Sequence, residues 1–267
     1  MPRIAAGDIE IGYEVVGAGP PLIALHGATM SGRTQFADLS PALASAFTVY
    51  LPDARGHGET AWDVAVGGFE TAALVDDVAA FADNLGLSTF HLLGFSMGAT
   101  TALNFAVRSP DRLRTLIVAG ISTEREPRAS VVRHLLDLTR IDREDPAWAA
   151  RLSARHDPVQ GVGAWRDLLP AISADVAIQP ILSPAARRSI DVPTLVACGD
   201  RDPIVSVVQA AKLARQVRDG RLLVVPGRGH DIVSGPPPEF DAAVEAFYRS
   251  TEPIARRRAA AYPEVVR

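Results

Sequence analysis

A serine between two glycines, Ser96 in the run Gly94-Phe95-Ser96-Met97-Gly98, has the surroundings that nucleophilic chemistry requires. The strand-like apolar run His91–Phe95 leads into it, and the small-residue helical pattern Met97–Val107 follows it. This G-x-S-x-G pattern predicts a turn too tight for a Cβ at the glycine positions, with the serine Oγ raised above the edge of a sheet. The following helix would offer unpaired N–H groups to a developing anion. The pattern therefore predicts a nucleophilic serine.

A serine nucleophile needs a base, and the base needs a carboxylate that orients it. Of the six histidines, His230 alone follows a buried strand run and a Gly-Arg-Gly turn on the C-terminal side of the expected sheet. Asp200 and Asp202 both follow the strand run Thr194–Ala197. We favour Asp202 as the acid, because the proline after it restricts its backbone to extended geometry. We expect Asp200 to bond backbone N–H groups at the shoulder of its turn.

Strand-length apolar runs alternate with helical patterns along most of the chain, and this alternation predicts an α/β fold with a mainly parallel sheet and helices on both faces. Continuous apolar runs are typical of strands buried on both sides. An alternating run, Ile9–Val16, precedes them. The expected buried strands are Leu22–Leu25, Thr48–Leu51, His91–Phe95, Leu113–Ala119, Thr194–Ala197 and Arg221–Val225, and the clearest helical patterns are Ala72–Leu85, Met97–Val107, Val207–Val217 and Phe240–Phe247.

The alternation stops between residues 123 and 188, where no buried strand run occurs. This segment holds two of the three tryptophans and reads as short helices inserted between two strands. We therefore assign residues 1–122 and 189–251 to the core and residues 123–188 to a helical insertion. Residues 252–267 show no apolar face, so we expect a loosely held C-terminal tail.

Composition excludes several classes of function. The chain has 267 residues, 48% of them hydrophobic and 22% charged, which is typical of a soluble globular protein. A net charge of -4 favours neither nucleic acid nor an anionic membrane surface. The single cysteine, Cys198, cannot close a disulfide within the chain. With no apolar run long enough to span a bilayer and no secretory signal pattern, we expect a cytoplasmic protein that binds a small-molecule substrate.

Motifs for cofactors and metals are missing from the sequence. The run Gly17-Ala18-Gly19 lacks a third glycine at the right spacing and opens no helix, so it does not predict a dinucleotide site. The chain has no Walker A sequence and no His-x-x-x-His or Cys-x-x-Cys pair. We therefore expect neither a metal nor an organic cofactor.

These motifs together resemble the α/β-hydrolase superfamily, from about Ile9 to Tyr248. The resemblance implies that residues 123–188 form a cap over the pocket, and that the N–H groups of Ala28 and Met97 form an oxyanion hole. Trp148, His156 and Trp165 lie within this segment and are candidate substrate contacts, with packing inside the cap as the alternative for each. The matching pieces are His26-Gly27, Asp53-Ala54-Arg55-Gly56-His57-Gly58, the G-x-S-x-G run at Ser96, Gly199-Asp200-Arg201-Asp202 and Gly229-His230.

The expected reaction is cleavage of a carboxylic ester or lactone by Ser96, with His230 as base and Asp202 as its partner. Dehalogenases and epoxide hydrolases of this superfamily carry an aspartate in place of the serine, so Ser96 argues against both. A cofactor-free perhydrolase, also called a haloperoxidase, and a carbon–carbon hydrolase or lyase would use the same three residues. A non-catalytic ligand-binding protein on this fold is the alternative from another class.

Overall fold

The structure, a computed structural model, describes residues 1–38, 41–126 and 128–261. Its centre is one eight-stranded sheet. Six of the strands coincide with the buried runs expected from the sequence, to within one or two residues at each end. The strands are β1 (Arg3–Ala6), β2 (Ile9–Gly17), β3 (Pro21–Leu25), β4 (Thr48–Pro52), β5 (Phe90–Phe95), β6 (Leu113–Ala119), β7 (Thr194–Gly199) and β8 (Gly220–Val225).

The strands follow the order β1-β2-β4-β3-β5-β6-β7-β8 across the sheet. From β4 to β8 every neighbouring pair is parallel, whereas β2 is antiparallel to both β1 and β4. The prediction of a mainly parallel sheet is therefore confirmed. Strand β1 was not predicted, because it is only four residues long and pairs at the edge of the sheet.

Helices connect the parallel strands and cover both faces of the sheet, as expected for right-handed crossovers. A short 3₁₀ turn, Pro110–Arg112, lies just before β6. The helices are α1 (Gly32–Gln35), α2 (Pro41–Ala46), α3 (Thr71–Asn84), α4 (Met97–Arg108), α5 (Arg128–Leu135), α6 (Leu138–Glu144), α7 (Pro146–Gln160), α8 (Trp165–Ile178), α9 (Pro184–Arg188), α10 (Val207–Gln216) and α11 (Pro238–Ala261).

Two apolar clusters pack against opposite faces of the sheet. One joins the sheet to α3, α4 and α10, with Phe81 and Phe105 fully buried. The other lies beneath α11, where Phe240 and Phe247 pack against the strands. All residues of β5 and β7 are buried. The strands that lead to Ser96 and Asp202 are therefore held on both sides, and their C-terminal ends are fixed in position.

Helices α5 to α9 fill the stretch between β6 and β7, where the sequence predicted an insertion. Four of its helices enclose a separate apolar cluster that includes Ile141, Leu152 and Trp165. At the C-terminus, α11 continues to Ala261, well into the segment expected as a tail. Arginine and alanine, which dominate residues 256–261, are strong helix formers and account for this extension. The rest of the expected tail, residues 262–267, lies outside the described residues.

Candidate active site

Ser96 lies in a strained turn between β5 and α4. Its backbone has φ 52° and ψ -111°, a conformation that side-chain-bearing residues rarely adopt. A Cβ at Gly94 would lie 2.3 Å from the carbonyl oxygen of Gly98, and one at Gly98 would lie 2.3 Å from that of Leu25. Both glycines are therefore required by close backbone approach. The Ser96 N–H donates to the carbonyl oxygen of Ala119, 2.9 Å away, which ties the turn to β6.

A chain of hydrogen bonds joins Ser96 to two side chains from distant parts of the sequence. Ser96 Oγ lies 3.0 Å from His230 Nε2, and His230 Nδ1 lies 2.8 Å from Asp202 Oδ2. Because the Asp202 carboxylate accepts, Nδ1 carries the hydrogen and neutral Nε2 is free to accept the serine proton. The His230 side chain is 21% exposed and that of Asp202 is fully buried. This geometry allows proton transfer from the serine to the histidine.

Asp202 is held rigidly by its own backbone neighbours. Its Oδ1 accepts from the N–H groups of Ile204 at 2.7 Å and Val205 at 3.0 Å, so Oδ2 remains for His230. Asp200 has a different partner, because its Oδ1 accepts from the Gly227 N–H at 2.6 Å. Asp202 therefore contacts His230, whereas Asp200 joins its own loop to the loop of Gly227.

Two backbone N–H groups beside Ser96 have no hydrogen-bond partner among the described residues. They belong to Ala28, in the loop after β3, and to Met97, the first residue of α4. Both residues line a cavity that also exposes Ser96. Free N–H groups at a helix start and in an adjoining loop are suited to stabilise an oxyanion.

The loop after β3 turns at Thr29, which has a positive φ of 65°. The Thr29 N–H donates to Nε2 of His57 at 3.3 Å, and its carbonyl oxygen accepts from Nε2 of His156 at 3.1 Å. Arg155 Nη1 donates to the same carbonyl oxygen. His57 and the α7 residues His156 and Arg155 therefore position the residue that follows Ala28.

Three neutral histidines, His26, His57 and His156, form a packed column behind this loop. Ring centroids are 5.0 Å apart for His26 and His57, and 5.4 Å apart for His57 and His156. Each ring donates to a carbonyl oxygen through one nitrogen and accepts from a backbone N–H through the other. Burial lowers the pKa of His26 and of His156 to about 4 and lowers the pKa of His57 well below its usual value. These rings therefore act as uncharged structural groups near neutral pH.

The main cavity above Ser96 has a volume of about 440 Å³. Core residues Ser96, His230 and Ala28 form its floor, and Trp148 and Leu136 are among the residues that form its other walls. Of the three tryptophan and histidine candidates in the insertion, Trp148 alone reaches this cavity. The size of the cavity suits a small organic molecule.

His156 and Trp165 do not line the main cavity. His156 is fully buried beneath Thr29, where its Nδ1 also accepts from the Gly58 N–H at 3.1 Å. Trp165 is 2% exposed in the apolar cluster of the insertion, and its indole N–H donates to Ser153 Oγ at 3.0 Å. Both side chains were candidate substrate contacts, but Trp165 packs within the insertion and His156 joins the insertion to the loop of Thr29.

A second cavity, of about 40 Å³, adjoins Ser96, and His230 is not among the residues that line it. Arg128, the first residue of α5, lines it and is 6% exposed. Its Nε and Nη2 have no hydrogen-bond partner among the described residues. The sequence did not single out this arginine, because nothing in its local pattern distinguishes it from the many exposed arginines of the chain.

Two features are absent from the described part of the chain. No group of three or more histidine, cysteine, aspartate or glutamate side chains there is arranged to hold a metal ion. No helix in those same ranges has both the length and the apolar character needed to cross a bilayer. The single cysteine, Cys198, is buried in β7, and burial raises the pKa of its thiol to about 11.

Curated relatives match nearly the whole chain. A pyrrolizixenacetamide deacetylase of Xenorhabdus hominickii is 28% identical over 94% of this chain and 99% of its own length. A 2-(acetamidomethylene)succinate hydrolase of Mesorhizobium japonicum is 29% identical over 85% of this chain and 87% of its own. The solved structure of a thermophilic esterase from Thermogutta terrifontis has a TM-score of 0.74 and 24% identity, covering 94% of this chain and 99% of that one.

The model of the Alpha/beta hydrolase family matches residues 22–248, which include Ser96, Asp202, His230 and the whole insertion. The predicted fold resemblance and the predicted enzyme class are thereby confirmed. The chain belongs to the alpha/beta hydrolase family.

Proposed function

We propose that this protein is a serine hydrolase that cleaves a carboxylic ester or lactone through an acyl-enzyme. The observation that carries the proposal is the unbroken hydrogen-bond chain from Ser96 Oγ through His230 to Asp202. Each member of this chain is fixed by a separate element of the core. A serine with an aligned base and an oriented carboxylate is the arrangement that activates a hydroxyl for attack on a carbonyl.

In the first half of the reaction, Ser96 Oγ attacks the carbonyl carbon and its proton passes to His230 Nε2. Asp202 stabilises the imidazolium that forms, through the hydrogen bond to Nδ1. The N–H groups of Ala28 and Met97 stabilise the negative charge that develops on the carbonyl oxygen. Removing one donor of this kind costs about 2.7–4 kcal/mol of transition-state stabilisation.

In the second half, His230 returns the proton to the leaving oxygen, and the carbon–oxygen bond to the leaving group breaks. A water molecule then attacks the acyl-serine while His230 again takes a proton. Collapse of the second tetrahedral intermediate releases the carboxylic acid and restores the Ser96 hydroxyl. The two halves require no group beyond these side chains and water.

The insertion, residues 123–188, acts in this proposal as a cap that shapes the pocket for a small-molecule substrate. Trp148 supplies an apolar wall of the main cavity, and Arg151 stacks 5.2 Å from its ring. His156 and Trp165 are not part of the proposed substrate contacts, because neither reaches this cavity. The relatives named for a deacetylase and a hydrolase support a hydrolytic reaction on a small molecule.

Turnover of p-nitrophenyl acetate tests the proposed function. We expect the wild-type protein to release p-nitrophenol, and Ser96→Ala to lower kcat by roughly 10⁶. Ser88→Ala, which changes an exposed serine elsewhere on the core, is the matched control and should retain wild-type turnover. A wild-type protein that binds ester analogues without turnover would instead support the non-catalytic ligand-binding alternative.

Two finer points stay predictions. Adding peroxide to the acetate assay distinguishes hydrolysis from perhydrolysis, because a perhydrolase would form peracetic acid from the acyl-enzyme. The cytoplasmic location is a prediction from the sequence, and cell fractionation would test it.

A further inference from the structure

Arg128 lines the small cavity beside Ser96 and carries a buried, unsatisfied hydrogen-bonding edge. The residue is 6% exposed, and neither Nε nor Nη2 has a partner among the described residues. Leaving charged donors buried without acceptors is costly, so such groups are normally paired. An unpaired guanidinium in the wall of a cavity therefore points to a ligand that supplies the acceptors.

The two open nitrogens define the chemistry of that ligand. Nε–H and one Nη2–H of an arginine point in parallel and match the two oxygens of a carboxylate. The same protein uses this edge elsewhere, since Arg55 Nε and Nη2 hold the Asp77 carboxylate at 2.8 Å and 2.6 Å. Arg128 offers the equivalent pair of donors with no carboxylate against it.

The acidic side chain that shares this cavity does not satisfy Arg128. The oxygens of Asp175 accept from the Thr71 N–H at 2.8 Å and the Gln179 side-chain amide at 2.9 Å, as well as from the Thr71 hydroxyl. Neither Nε nor Nη2 of Arg128 bonds to Asp175 among the described residues, although the two opposite charges attract each other. The charge of Asp175 opposes a bound anion, so binding has to come from direct contact with the Arg128 guanidinium.

The position of His230 decides which part of the substrate enters the small cavity. His230 must reach the leaving oxygen, and it lines the main cavity but not the small one. The leaving group therefore occupies the main cavity. The acyl chain extends to the other side of Ser96, past Met97 and toward Arg128, into a cavity of about 40 Å³ that has room for a short chain only.

We propose that Arg128 binds a carboxylate at the far end of the acyl chain, so that the preferred substrates are monoesters of short dicarboxylic acids. This inference rests on the proposed function of Ser96 and names the substrate class of that site. Water and the monoester yield the dicarboxylate, the alcohol and one proton. Arg128 takes no part in the bond changes and acts as a specificity-determining residue.

The test compares kcat/KM for monomethyl succinate with kcat/KM for methyl pentanoate, a neutral ester of similar chain length, by titration of the released acid. We expect wild-type protein to favour the monoester by about 100-fold. Arg128→Met, which keeps the length of the side chain without its donors, should abolish that ratio, and Arg128→Lys should restore only part of it. Arg133→Met removes an exposed cation from the same helix and should keep the wild-type ratio.

Calorimetric titration with succinate, the product, gives a second readout that needs no catalysis. We expect wild-type and Ser96→Ala proteins to bind succinate at least 100-fold more tightly than succinamide, its neutral isostere, and this comparison tests the site even if Arg128→Met fails to fold. Hydrolysis of methyl pentanoate without preference for monomethyl succinate, or an unchanged ratio in folded Arg128→Met, would overturn the inference and leave the proposed function standing. Succinate binding without turnover of either ester would reject the proposed function while supporting the carboxylate site.

Discussion

The Nε2 of His156, on helix α7, donates a hydrogen bond to the carbonyl oxygen of Thr29, 3.1 Å away. This bond connects the inserted cap segment to the loop that carries the proposed oxyanion donor Ala28. Thr29 holds a positive φ of 65°, a conformation that costs free energy for a β-branched residue and needs support from its surroundings. The inserted helices therefore stabilise the loop that carries Ala28.

Replacing His156 should weaken both the fold and the reaction. In His156→Leu the Gly58 N–H loses its acceptor and the Thr29 carbonyl loses one donor. We therefore expect the free energy of unfolding, measured with urea at neutral pH, to be about 1–3 kcal/mol lower than in the wild type. The loosened loop should also lower kcat on p-nitrophenyl acetate. His134→Leu alters an exposed histidine of the cap and should shift stability by less than about 0.5 kcal/mol. Equal stability for the two variants would contradict the supporting role of His156.

Because the backbone at Ser96 is strained, substitutions at this position should change stability in a way that can be measured independently of activity. With φ 52° and ψ -111°, position 96 favours a residue without a Cβ. Ser96→Gly should therefore be more stable than Ser96→Ala by about 1 kcal/mol, after the extra chain entropy of glycine offsets part of the relieved strain. Both variants should be inactive. Thermal or urea unfolding of the pair measures this difference, and a more stable alanine variant would show that the turn is not strained.

Asp202 and Asp200 provide an internal comparison of two neighbouring carboxylates. Asp202→Asn should lower kcat by about 10⁴, because the amide no longer fixes the His230 tautomer in which Nε2 accepts the proton. Asp200→Asn weakens one hydrogen bond to the Gly227 N–H and should cost on the order of 1 kcal/mol of stability. Steady-state kinetics and urea unfolding of both variants separate the two roles. The reverse pattern, with Asp200→Asn inactive and Asp202→Asn active, would show that the acid is assigned to the wrong residue.

Because His26 and His156 are buried and uncharged in the folded protein, we expect the fold to lose stability in mild acid. Burial lowers the pKa of His26 and of His156 to about 4, while an unfolded histidine takes up its proton near pH 6.5. Between these values the unfolded chain binds more protons than the folded one, so stability falls as the pH drops below about 6.5. In this pH range each such histidine lowers the free energy of unfolding by about 1.4 kcal/mol for every unit by which the pH falls. Asp53 has the opposite effect on stability, because burial raises its pKa to about 6 and the folded chain therefore takes up this proton before the unfolded chain does.

Removing one histidine isolates its share of this pH dependence. The free energy of unfolding of His156→Leu should fall less steeply than that of the wild type between pH 6.5 and about pH 4, by about 1.4 kcal/mol per pH unit. Urea titrations across this range measure both slopes. Parallel curves for the two proteins would mean that His156 titrates normally in the folded state.

Local signals in the sequence were sufficient to predict Ser96, Asp202 and His230. Each residue follows a short continuous apolar run, which is typical of buried strands whose C-terminal ends meet at one edge of a parallel sheet. The tight turn around Ser96 is predicted by the glycines on either side of it, Gly94 and Gly98. The bounds of β6 were predicted to the residue, because apolar residues dominate this strand and a short 3₁₀ turn precedes it.

The inserted helices could not be positioned in the same way. Helical periodicity predicts that a segment is a helix, but the direction in which Trp165 or His156 points depends on how the five helices of the insertion pack together. Trp165 joins their apolar cluster, and His156 fills a polar gap beneath Thr29. The open edge of Arg128 is likewise a property of its surroundings. Whether another part of the chain places an acceptor next to Arg128 depends on the tertiary fold, and the local sequence does not predict it.

Labelling with a fluorophosphonate probe tests the central claim, that Ser96 is an activated nucleophile. The probe forms a covalent bond only with a serine whose hydroxyl is deprotonated by an aligned base. After incubation and digestion, mass spectrometry should find one phosphonylated peptide, modified at Ser96. Ser96→Ala should carry no label, and His230→Ala should be labelled far more slowly. An unlabelled wild-type protein, or a label on another serine that persists in Ser96→Ala, would contradict the account.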